Sequence, residues 1–533
     1  MKYQSRGLAI AIFLLTACQP TKQPLANNSV VSAAHPLATK AGISILEQGG
    51  NAYDAAIATG FAIAVVEQTM NGLGGRLQAI IHHEDGKITG IDATTQAPLS
   101  YDPETATMET TGYPSIGVPG VVKGLMTIHE KYGSMDLATV MAPAIDYAEN
   151  GYIMLPEAAK RHASVIEYIR KYEGSSQYFL NGDTTYVAGE RLVQKDLANT
   201  LRKIAETKGE AFYTGEIAEK MVADIQANGG YVDMESLAAY EAKESRVLTG
   251  SYRGYDINTL FLPAFGAINL EMLNFMENYP LSEYSDADWG KVFFLANTIA
   301  YKDRRRQSED GAVEEIISKE YAKQKADSVN ALDLKAAAMA YSGGWASPDG
   351  HTTHFTVADK NGIVLAVTQT VGNTLGSKVA TPGLGFVYAQ TLGGYLGDMK
   401  AGDRAPSHIS PTIVAKDGKP FLGLGAAGGS RIPTAIVQAI SRVIDRGMNL
   451  PDALAAGRIQ SIDTAMYIEM HEGTTWTQED IDALESFGFK VYPVEEKARF
   501  GRIHAVHYDV ENQNWTGAAD PDWEGTSDGV EKE

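Results

Sequence analysis

The stretch HTTHFTVADKNGIVLAVTQT, residues 351–370, contains two runs of strand-forming residues separated by a turn. Threonine, valine and phenylalanine favour strands, and the Lys-Asn-Gly sequence at 360–362 is a turn signal between the two runs. The segment therefore predicts a β-hairpin, and hence antiparallel strands. Strand propensity also explains the adjacent Thr352 and Thr353, but a hydroxyl where a loop turns into a strand is in addition a candidate nucleophile.

The same patterns recur on both sides of this hairpin. Residues 76–92 and 411–425 each read as two strands around an Asp-Gly turn. Residues 51–68 predict an almost wholly apolar helix, residues 432–447 an amphipathic helix, and residues 117–240 a mainly helical region. Because long apolar helices must cover the sheets, patterning alone predicts an α/β fold with antiparallel sheets.

Composition limits the classes of function. The chain has 533 residues, 44% of them hydrophobic, and a formal net charge of −21. It is long enough to bury a large core, and no linker or repeat divides residues 29–533. An acidic surface argues against nucleic acid or anionic lipid as a partner.

The amino terminus has the features of an export signal. Lys2 and Arg6 precede an apolar run that is too short to span a bilayer comfortably, and the run ends in the lipobox-like sequence LTAC. We therefore expect residues 1–17 to be a lipoprotein signal peptide, Cys18 to carry the lipid, and residues 18–28 to be a flexible tether. The expected location is the bacterial cell envelope, with the protein membrane-anchored and facing the periplasm or the exterior. Cys18 is the only cysteine, which excludes an internal disulfide.

A threonine hydroxyl needs a nearby base before it can act as a nucleophile at neutral pH. The α-amino group of the same residue can serve, since its pKa lies near 8, but only if the chain is cut just before that threonine. The polar loop SGGWASPDGH upstream of Thr352 is the kind of segment in which a cut leaves both halves folded. Gly428 and Gly429 could offer backbone N–H groups to an oxyanion, or could simply form a tight strand-to-helix turn.

Two other kinds of site are disfavoured. The glycine-rich segment 71–75 follows a helix and precedes a strand, which is the wrong order for a nucleotide-binding loop. His351, His354 and the pair His82 and His83 lack the spacing and the cysteine partners of a metal site, so we expect no metal there.

Several segments together resemble one family over nearly the whole chain, from about Val31 to Gly529. They are AAHPLATKAGISILEQGGNAYDAAIA, GVPGVVKGL, APAIDYAENGY, GSYRGY, AYKDR, TTHFTVADKNG, SPTIV, AAGGSRIPT and GAADP. The chain resembles the γ-glutamyltransferase (γ-glutamyl transpeptidase) family of N-terminal nucleophile hydrolases. The resemblance implies a four-layer αββα sandwich, built jointly by a large subunit, residues 29–351 with the tether before it, and a small subunit, residues 352–533.

The resemblance also implies roles for individual residues. The precursor would cut itself between His351 and Thr352, and Thr352 would become the nucleophile. Thr370 falls where the family has a second threonine that orients the first. Gly428 and Gly429 fall on the oxyanion-hole glycines. No metal or organic cofactor is implied.

The family's usual substrate-binding residues are largely missing. The segment DATTQAP has Thr94 where the family has the arginine that holds the substrate α-carboxylate, which is not a conservative change. The family's asparagine after Thr370 appears as Gly372. Its glutamine and aspartate for the α-amino group fall at Thr391 and Gly394.

Three other residues remain candidates for substrate binding. Ser407 survives from the family's serine pair, and His408 takes the place of the second serine. Arg76 interrupts a glycine-rich segment. Arg76 or His408 would supply the missing positive charge, and the alternative for Arg76 is a surface salt bridge.

By family default, the substrate is a small γ-glutamyl amide such as glutathione, and the acyl group passes to water or to an amine. An alternative keeps the mechanism and changes the acyl group, as in glutaryl-cephalosporin acylases. A third possibility is a lipid-anchored binding protein without turnover. The presence of Thr352, Thr370 and both glycines favours an enzyme, since a binding protein does not need that set.

Overall fold

The structure, a computed structural model, describes residues 27–330, 351–462, 465–471 and 473–531. The predicted signal peptide and Cys18 lie outside these residues. The first strand begins at Asn27 and so includes the last two residues of the predicted tether. Among the described residues, every helix is too short or too polar to cross a bilayer.

Strands of very different length occur in the described part of the chain. They are β1 (Asn27–Ala33), β2 (Arg76–His82), β3 (Ile88–Ala93), β4 (Tyr152–Ile153), β5 (Leu180–Asn181), β6 (Thr184–Thr185), β7 (Arg191–Leu192), β8 (Lys243–Ser245), β9 (Val247–Tyr252), β10 (Tyr255–Leu260), β11 (His351–Ala358), β12 (Val364–Gly372), β13 (Thr412–Lys416), β14 (Lys419–Ala427), β15 (Ile459–Ile462), β16 (Ala465–Glu469), β17 (Lys490–Val494), β18 (Arg502–Asp509), β19 (Asn514–Ala519) and β20 (Thr526–Glu531).

Helices fill most of the remaining described residues. They are α1 (Pro36–Glu47), α2 (Ala52–Val66), α3 (Val121–Tyr132), α4 (Leu137–Asn150), α5 (Pro156–Ser164), α6 (Ile166–Lys171), α7 (Glu173–Phe179), α8 (Lys195–Thr207), α9 (Glu210–Tyr213), α10 (Glu216–Ala227), α11 (Met234–Ala238), α12 (Ala267–Met276), α13 (Asp286–Asp303), α14 (Ala312–Ile316), α15 (Lys319–Asn330), α16 (Ile432–Asp445), α17 (Leu450–Ala455) and α18 (Gln478–Ser486). Short 3-10 turns occur at Tyr113–Ser115, Arg304–Ser308 and Gly429–Arg431.

One antiparallel sheet runs through the molecule in the order β8-β3-β2-β12-β11-β1-β19-β18-β14-β13-β10-β9, and β20 also pairs with β1. The sheet bends so that its two halves face each other. A methyl group at Gly423 of β14 would lie 2.7 Å from the side chain of Val364 in β12. The two halves therefore approach too closely there for any side chain larger than hydrogen.

Alternate residues of β12 face two different hydrophobic clusters, as the period of a strand requires. Leu365 and Val367 belong to the cluster that contains helix α2, whereas Val364 and Ala366 belong to the cluster between the two sheet halves. A third cluster packs helices α12, α13 and α16 against the far side of β14 through Leu424. This order of helix, sheet, sheet and helix confirms the predicted αββα sandwich.

The three predicted hairpins are present as β2–β3, β11–β12 and β13–β14. Residues from both sides of the predicted cut alternate in the sheet, since β1 pairs with β11 and β2 pairs with β12. In the second of these pairs, Arg76 lies directly across from Thr370. Helix α2 is buried along its whole length, as its apolar sequence predicted.

Candidate active site

A cavity of about 390 Å³ opens where β2 begins, β12 ends and β11 begins. It is lined by Arg76, Phe265, Arg304, His351, Thr352, Thr370, Gly372, Gly394, Tyr395, Leu396, Gly397, Pro406, Ser407, His408, Gly429, Ser430 and Ile432. A larger depression of about 660 Å³ lies at the opposite ends of the same strands, around the turns of the β2–β3 and β11–β12 hairpins. Because that depression contains none of the predicted site residues, the smaller cavity is the candidate site.

The hydroxyl of Thr370 connects Thr352 with the peptide bond before it. Thr352 Oγ1 donates a hydrogen bond to Thr370 Oγ1 over 3.3 Å, and Thr370 Oγ1 donates to the carbonyl oxygen of His351 over 2.6 Å. The amide of Gly372 donates to the same Thr370 oxygen over 2.9 Å. A hydroxyl has one proton and two lone pairs, so Thr370 uses all of them. The carbonyl it holds belongs to the peptide bond predicted to be cut.

A β-bulge directs Thr352 toward the cavity. The register between β11 and β12 shifts between His351 and Thr353, which places Thr352 at the irregularity. Bulges redirect single side chains and are common beside active sites. Thr352 is only 4% exposed, yet it lines the cavity, whereas Thr353 is fully buried and does not. The two adjacent threonines are therefore not equivalent.

The side chain of His351 lies against a guanidinium group. Arg161 Nη1 donates to His351 Nδ1, which requires that nitrogen to be unprotonated. Burial, and then the charge of Arg161, lower the pKa of His351 well below its ordinary value. The guanidinium of Arg161 also stacks on the ring of Trp523 at 4.3 Å from its centroid. The residue before the predicted cut is therefore held in place as a neutral imidazole.

The glycine pair lies in a tight turn between β14 and α16. Gly428 has φ +135° and Gly429 has φ +60°, both in the region that favours glycine. The carbonyl oxygen of Gly428 accepts from Arg431 Nε over 3.0 Å, which fixes the turn. Gly429 lines the cavity, and Gly428 lies directly before it. A turn that leads into a helix presents backbone N–H groups suited to an anion.

Arg76 is buried and lines the cavity, so the alternative of a surface salt bridge is wrong. Its Nη2 donates to the carbonyl oxygen of Gln390 at 3.4 Å, a long hydrogen bond. Its Nε and Nη1 have no acceptor among the residues that the structure describes. Burial lowers the pKa of Arg76 from its ordinary value.

His408 lines the cavity but does not supply a positive charge. Burial, and then the charge of Arg304, lower the pKa of His408 to about 3. Its Nε2 accepts from Arg304 Nη1 over 2.7 Å, so the imidazole is neutral. The second cation is instead Arg304, whose guanidinium lies 5.0 Å from the centroid of the Phe265 ring.

Arg304 was not among the predicted site residues, although it ends the AYKDR segment that carried part of the family resemblance. The segment alone does not indicate which residues Arg304 contacts. Arg304 begins a 3-10 turn after α13, and the fold brings that turn to His408, more than a hundred residues later. A long-range contact of this kind leaves no local pattern.

Ser407 also lines the cavity as predicted, but Thr94 does not. Thr94 is fully buried, and its hydroxyl donates to the carbonyl oxygen of Ala405 over 3.0 Å. The position is therefore part of the wall behind the cavity, and Thr94 is corrected from a substrate-binding residue to a structural one. Thr391 is likewise buried, where it donates to Thr95 over 2.8 Å.

The place of the family's missing asparagine is filled by an aromatic ring. A methyl group at Gly372 would lie 3.1 Å from the hydroxyl oxygen of Tyr395, and both residues line the cavity. Gly372 has φ +98°, which also favours glycine. Tyr395 therefore leaves little room for a side chain at position 372.

The predicted non-catalytic histidines have structural partners. His354 is fully buried, with Nδ1 2.8 Å from the hydroxyl of Thr368 and Nε2 2.9 Å from the hydroxyl of Thr356. His82 Nδ1 lies 3.0 Å from the carbonyl oxygen of Gly362, and His83 Nδ1 lies 2.6 Å from the hydroxyl of Tyr53.

A group with possible metal ligands lies elsewhere in the described residues. Glu469, His471 and Asp522 offer ligand atoms within 4.8 Å of one another. The guanidinium of Arg458 occupies both oxygens of Glu469, at 2.6 and 2.7 Å, and also pairs with Asp520. These side chains therefore form an ion-pair network around a buried arginine.

Comparison with known proteins identifies relatives over nearly the whole chain. The model of the gamma-glutamyltranspeptidase family matches residues 38–530. The chain is 33% identical over 523 residues to the glutathione hydrolase proenzyme of Pseudomonas sp. (strain A14), covering 91% of this chain and 90% of the relative. It is 31% identical over 467 residues to the Acylase ACY 1 proenzyme of Pseudomonas sp. (strain V22), covering 82% and 83%. The structure of a cephalosporin acylase from Bacillus halodurans superimposes with a TM-score of 0.88 at 27% identity, covering 98% of this chain and 100% of that one.

Proposed function

The chain belongs to the gamma-glutamyltranspeptidase family, and we propose that it is a self-processing amide hydrolase and acyltransferase with Thr352 as its N-terminal nucleophile. The observation that carries the proposal is the placement of the Thr370 hydroxyl. It bonds both the Thr352 hydroxyl and the carbonyl oxygen of His351, at the wall of a cavity. A strand threonine with a purely structural role does not require this pair of contacts.

Processing begins with attack of Thr352 Oγ1 on the carbonyl carbon of His351. The C–N bond of that peptide breaks, the nitrogen takes the proton lost from the hydroxyl, and an ester forms between His351 and Thr352. Thr370 stabilises the negative charge that develops on the carbonyl oxygen, because its hydroxyl already donates to that atom. The α-amino group of Thr352 is free from this point. Water then hydrolyses the ester, which releases the Thr352 hydroxyl and leaves a carboxylate on His351.

Turnover uses the group that processing releases. The α-amino nitrogen accepts the proton of Thr352 Oγ1 as the oxygen attacks the amide carbonyl of a substrate. The backbone N–H groups of Gly428 and Gly429 stabilise the oxyanion, and the leaving amine takes the proton. The acyl group then passes from Thr352 to water or to an amine acceptor. The chain's own residues supply the nucleophile, the base and the oxyanion donors of this reaction.

Intact mass of the purified protein tests the proposal directly. We expect two chains, the second beginning at Thr352, and activity on an amide substrate. Thr352→Ala should yield one uncut, inactive chain with the same fold by circular dichroism. A wild-type protein that stays a single chain and hydrolyses no acyl anilide would leave the alternative of a lipid-anchored binding protein.

The substrate class remains open between two relatives. The glutathione hydrolase relative makes γ-glutamyl amides the family default, and the acylase relatives make another acyl group the alternative. Either class of substrate would react with Thr352 by the chemistry proposed above. The residues around the acyl group decide between them.

We propose that the protein is anchored to the bacterial envelope through a lipid on Cys18. The support is the amino-terminal sequence alone: a basic start, a short apolar run and LTAC. Labelling of cells with a palmitate analogue should mark the wild-type protein and not the Cys18→Ala variant. Equal labelling of both would refute lipidation at this residue.

A further inference from the structure

Arg76 is a buried cation whose own chain leaves it largely unsatisfied. Its side chain is 2% exposed, and two of its three guanidinium nitrogens have no acceptor among the described residues. No carboxylate in that part of the chain forms a salt bridge with it. Burial of an unpaired charge is costly, and a bound carboxylate removes that cost through a bidentate ion pair. The feature therefore points to an anionic ligand in the cavity.

The cavity wall as a whole has one sign of charge. Arg76 and Arg304 both line it, and none of its described lining residues is an aspartate or a glutamate. His408 is neutral because it accepts a hydrogen bond from Arg304. A ligand carboxylate finds two cationic side chains here, whereas a ligand ammonium finds no acidic side chain on the described wall.

The position of Arg76 relative to Thr352 sets where the carboxylate lies on the substrate. Arg76 is the direct cross-strand partner of Thr370, and Thr370 Oγ1 bonds Thr352 Oγ1. Arg76 and the nucleophile thus lie on strands β2 and β11, which flank β12, so their backbones are separated by two strand spacings, roughly 10 Å. Both side chains line the same cavity, and an arginine side chain is long enough to cover part of that distance. The remaining gap suits a short chain between the reacting carbonyl and a terminal carboxylate.

We propose that the acyl site is built for ω-carboxyacyl groups such as glutaryl, and that Arg76 is the residue that selects them. The inference rests on the proposed function and names the substrate class of that same site. A γ-glutamyl group also has a carboxylate for Arg76, but it carries an α-ammonium that would lie beside two arginines with no acid to pair it. Specificity arises from this repulsive element as well as from the ion pair.

Three anilides with the same leaving group test the selection on the processed wild-type enzyme. Glutaryl anilide has the carboxylate, butyryl anilide lacks it, and γ-glutamyl anilide adds the ammonium. We expect kcat/KM for glutaryl anilide to exceed that for each of the other two by at least about tenfold. Equal or faster turnover of γ-glutamyl anilide would overturn the inference and leave the proposed function intact. Failure on all three, with no processing, would instead refute the proposed function.

Substitution of Arg76 assigns the effect to one residue. Arg76→Met should lower the ratio of kcat/KM for glutaryl anilide to kcat/KM for butyryl anilide by about 30-fold or more, the usual consequence of removing one partner of a buried ion pair. Arg305→Met is the matched control, because Arg305 is exposed, adjacent to Arg304 and absent from the cavity wall. A parallel loss on both anilides in Arg76→Met would contradict the role.

Inhibition of the wild-type enzyme keeps the test independent of folding of the variant. Glutarate should inhibit hydrolysis of butyryl anilide competitively, with a constant at least about tenfold lower than that of L-glutamate or butyrate. If L-glutamate inhibits as well as glutarate, the ammonium is tolerated and the inference fails.

Discussion

At the scale of single residues, Thr370 makes three hydrogen bonds with one hydroxyl group. In Thr370→Ala, the carbonyl oxygen of His351 loses its donor, and Thr352 loses the acceptor that orients it. We expect self-cleavage to slow by about 100-fold or more, the usual cost of removing one oxyanion donor. Thr370→Ser keeps the hydroxyl and should cleave within about tenfold of the wild-type rate. Denaturing electrophoresis over time measures both rates, and equal rates in the two variants would contradict this role for the hydroxyl.

Glu67, at the end of α2, predicts a dependence of stability on pH. Burial raises the pKa of its carboxyl to about 7, although Arg502 and Arg161 act in the opposite direction. A raised pKa means that the folded state binds the proton more tightly than the unfolded state does. The stabilisation that this carboxyl contributes is therefore fully present below pH 4.5 and is lost as pH rises toward 7. Relative to Glu67→Gln, the wild type should lose up to about 3 kcal/mol across this interval.

Denaturant unfolding at pH 5 and pH 8 measures this difference. Glu320→Gln, which makes the same change at an exposed carboxyl, provides the control. A constant difference between wild type and Glu67→Gln would show that the carboxyl does not titrate in the folded protein over this range.

Some site residues could be predicted from the sequence and others could not. Thr352 and Gly429 could be predicted because they lie in segments that resemble a known family, and Thr370 because it falls on the position of that family's second threonine. Arg304 could not be assigned a role, because its function depends on a contact with His408 that the fold creates. Thr94 was assigned wrongly, since alignment gives a position along the chain and not the direction of the side chain.

At the scale of elements, two helices begin with the same capping box in different surroundings. In α2, Asp54 pairs reciprocally with Asn51, and in α18, Asp480 pairs with Thr477. Asp54 is fully buried and also accepts hydrogen bonds from Ser134, over 2.9 Å from its amide. Asp480 is exposed.

We expect these two aspartates to differ in their contribution to stability. Asp480→Ala should cost about 1 kcal/mol, the usual value of a single helix-capping interaction. Asp54→Ala should cost at least about 3 kcal/mol, because it leaves several buried donors without an acceptor. Urea unfolding of the two variants measures both costs. Similar costs would mean that the loop at Ser134 rearranges so that water satisfies the donors that Asp54 leaves.

The elements themselves were mostly predictable because their signals are local. The Asp-Gly turns at 85–86 and 417–418 mark hairpins, and Asn51 marks the start of α2. What could not be predicted is which strands meet. The pairing of β1 with β20 joins the two ends of the described chain, and no local pattern specifies so distant a partner.

At the scale of the whole molecule, the predicted cut divides a sheet whose strands alternate between the two parts. β1 lies between β11 and β19, and β2 pairs with β12. We expect the cleaved protein to elute as one species in size-exclusion chromatography, at the volume of the uncut Thr352→Ala variant. It should also unfold in one transition, because neither part has a complete sheet alone. Separation of the two chains without denaturant would contradict this.

The direction of β1 has a consequence for how the protein would stand on a membrane. Val30 lies opposite Ala358 and Ala33 opposite Phe355, so Asn27 is level with the turn of the β11–β12 hairpin. Thr352 is at the other end of β11, roughly 30 Å away along the strands. A lipid on Cys18 would thus tether the molecule by the end remote from the cavity. Attachment at that end would not hold the mouth of the cavity against the headgroups, so water-soluble amides could enter without competing with the bilayer surface.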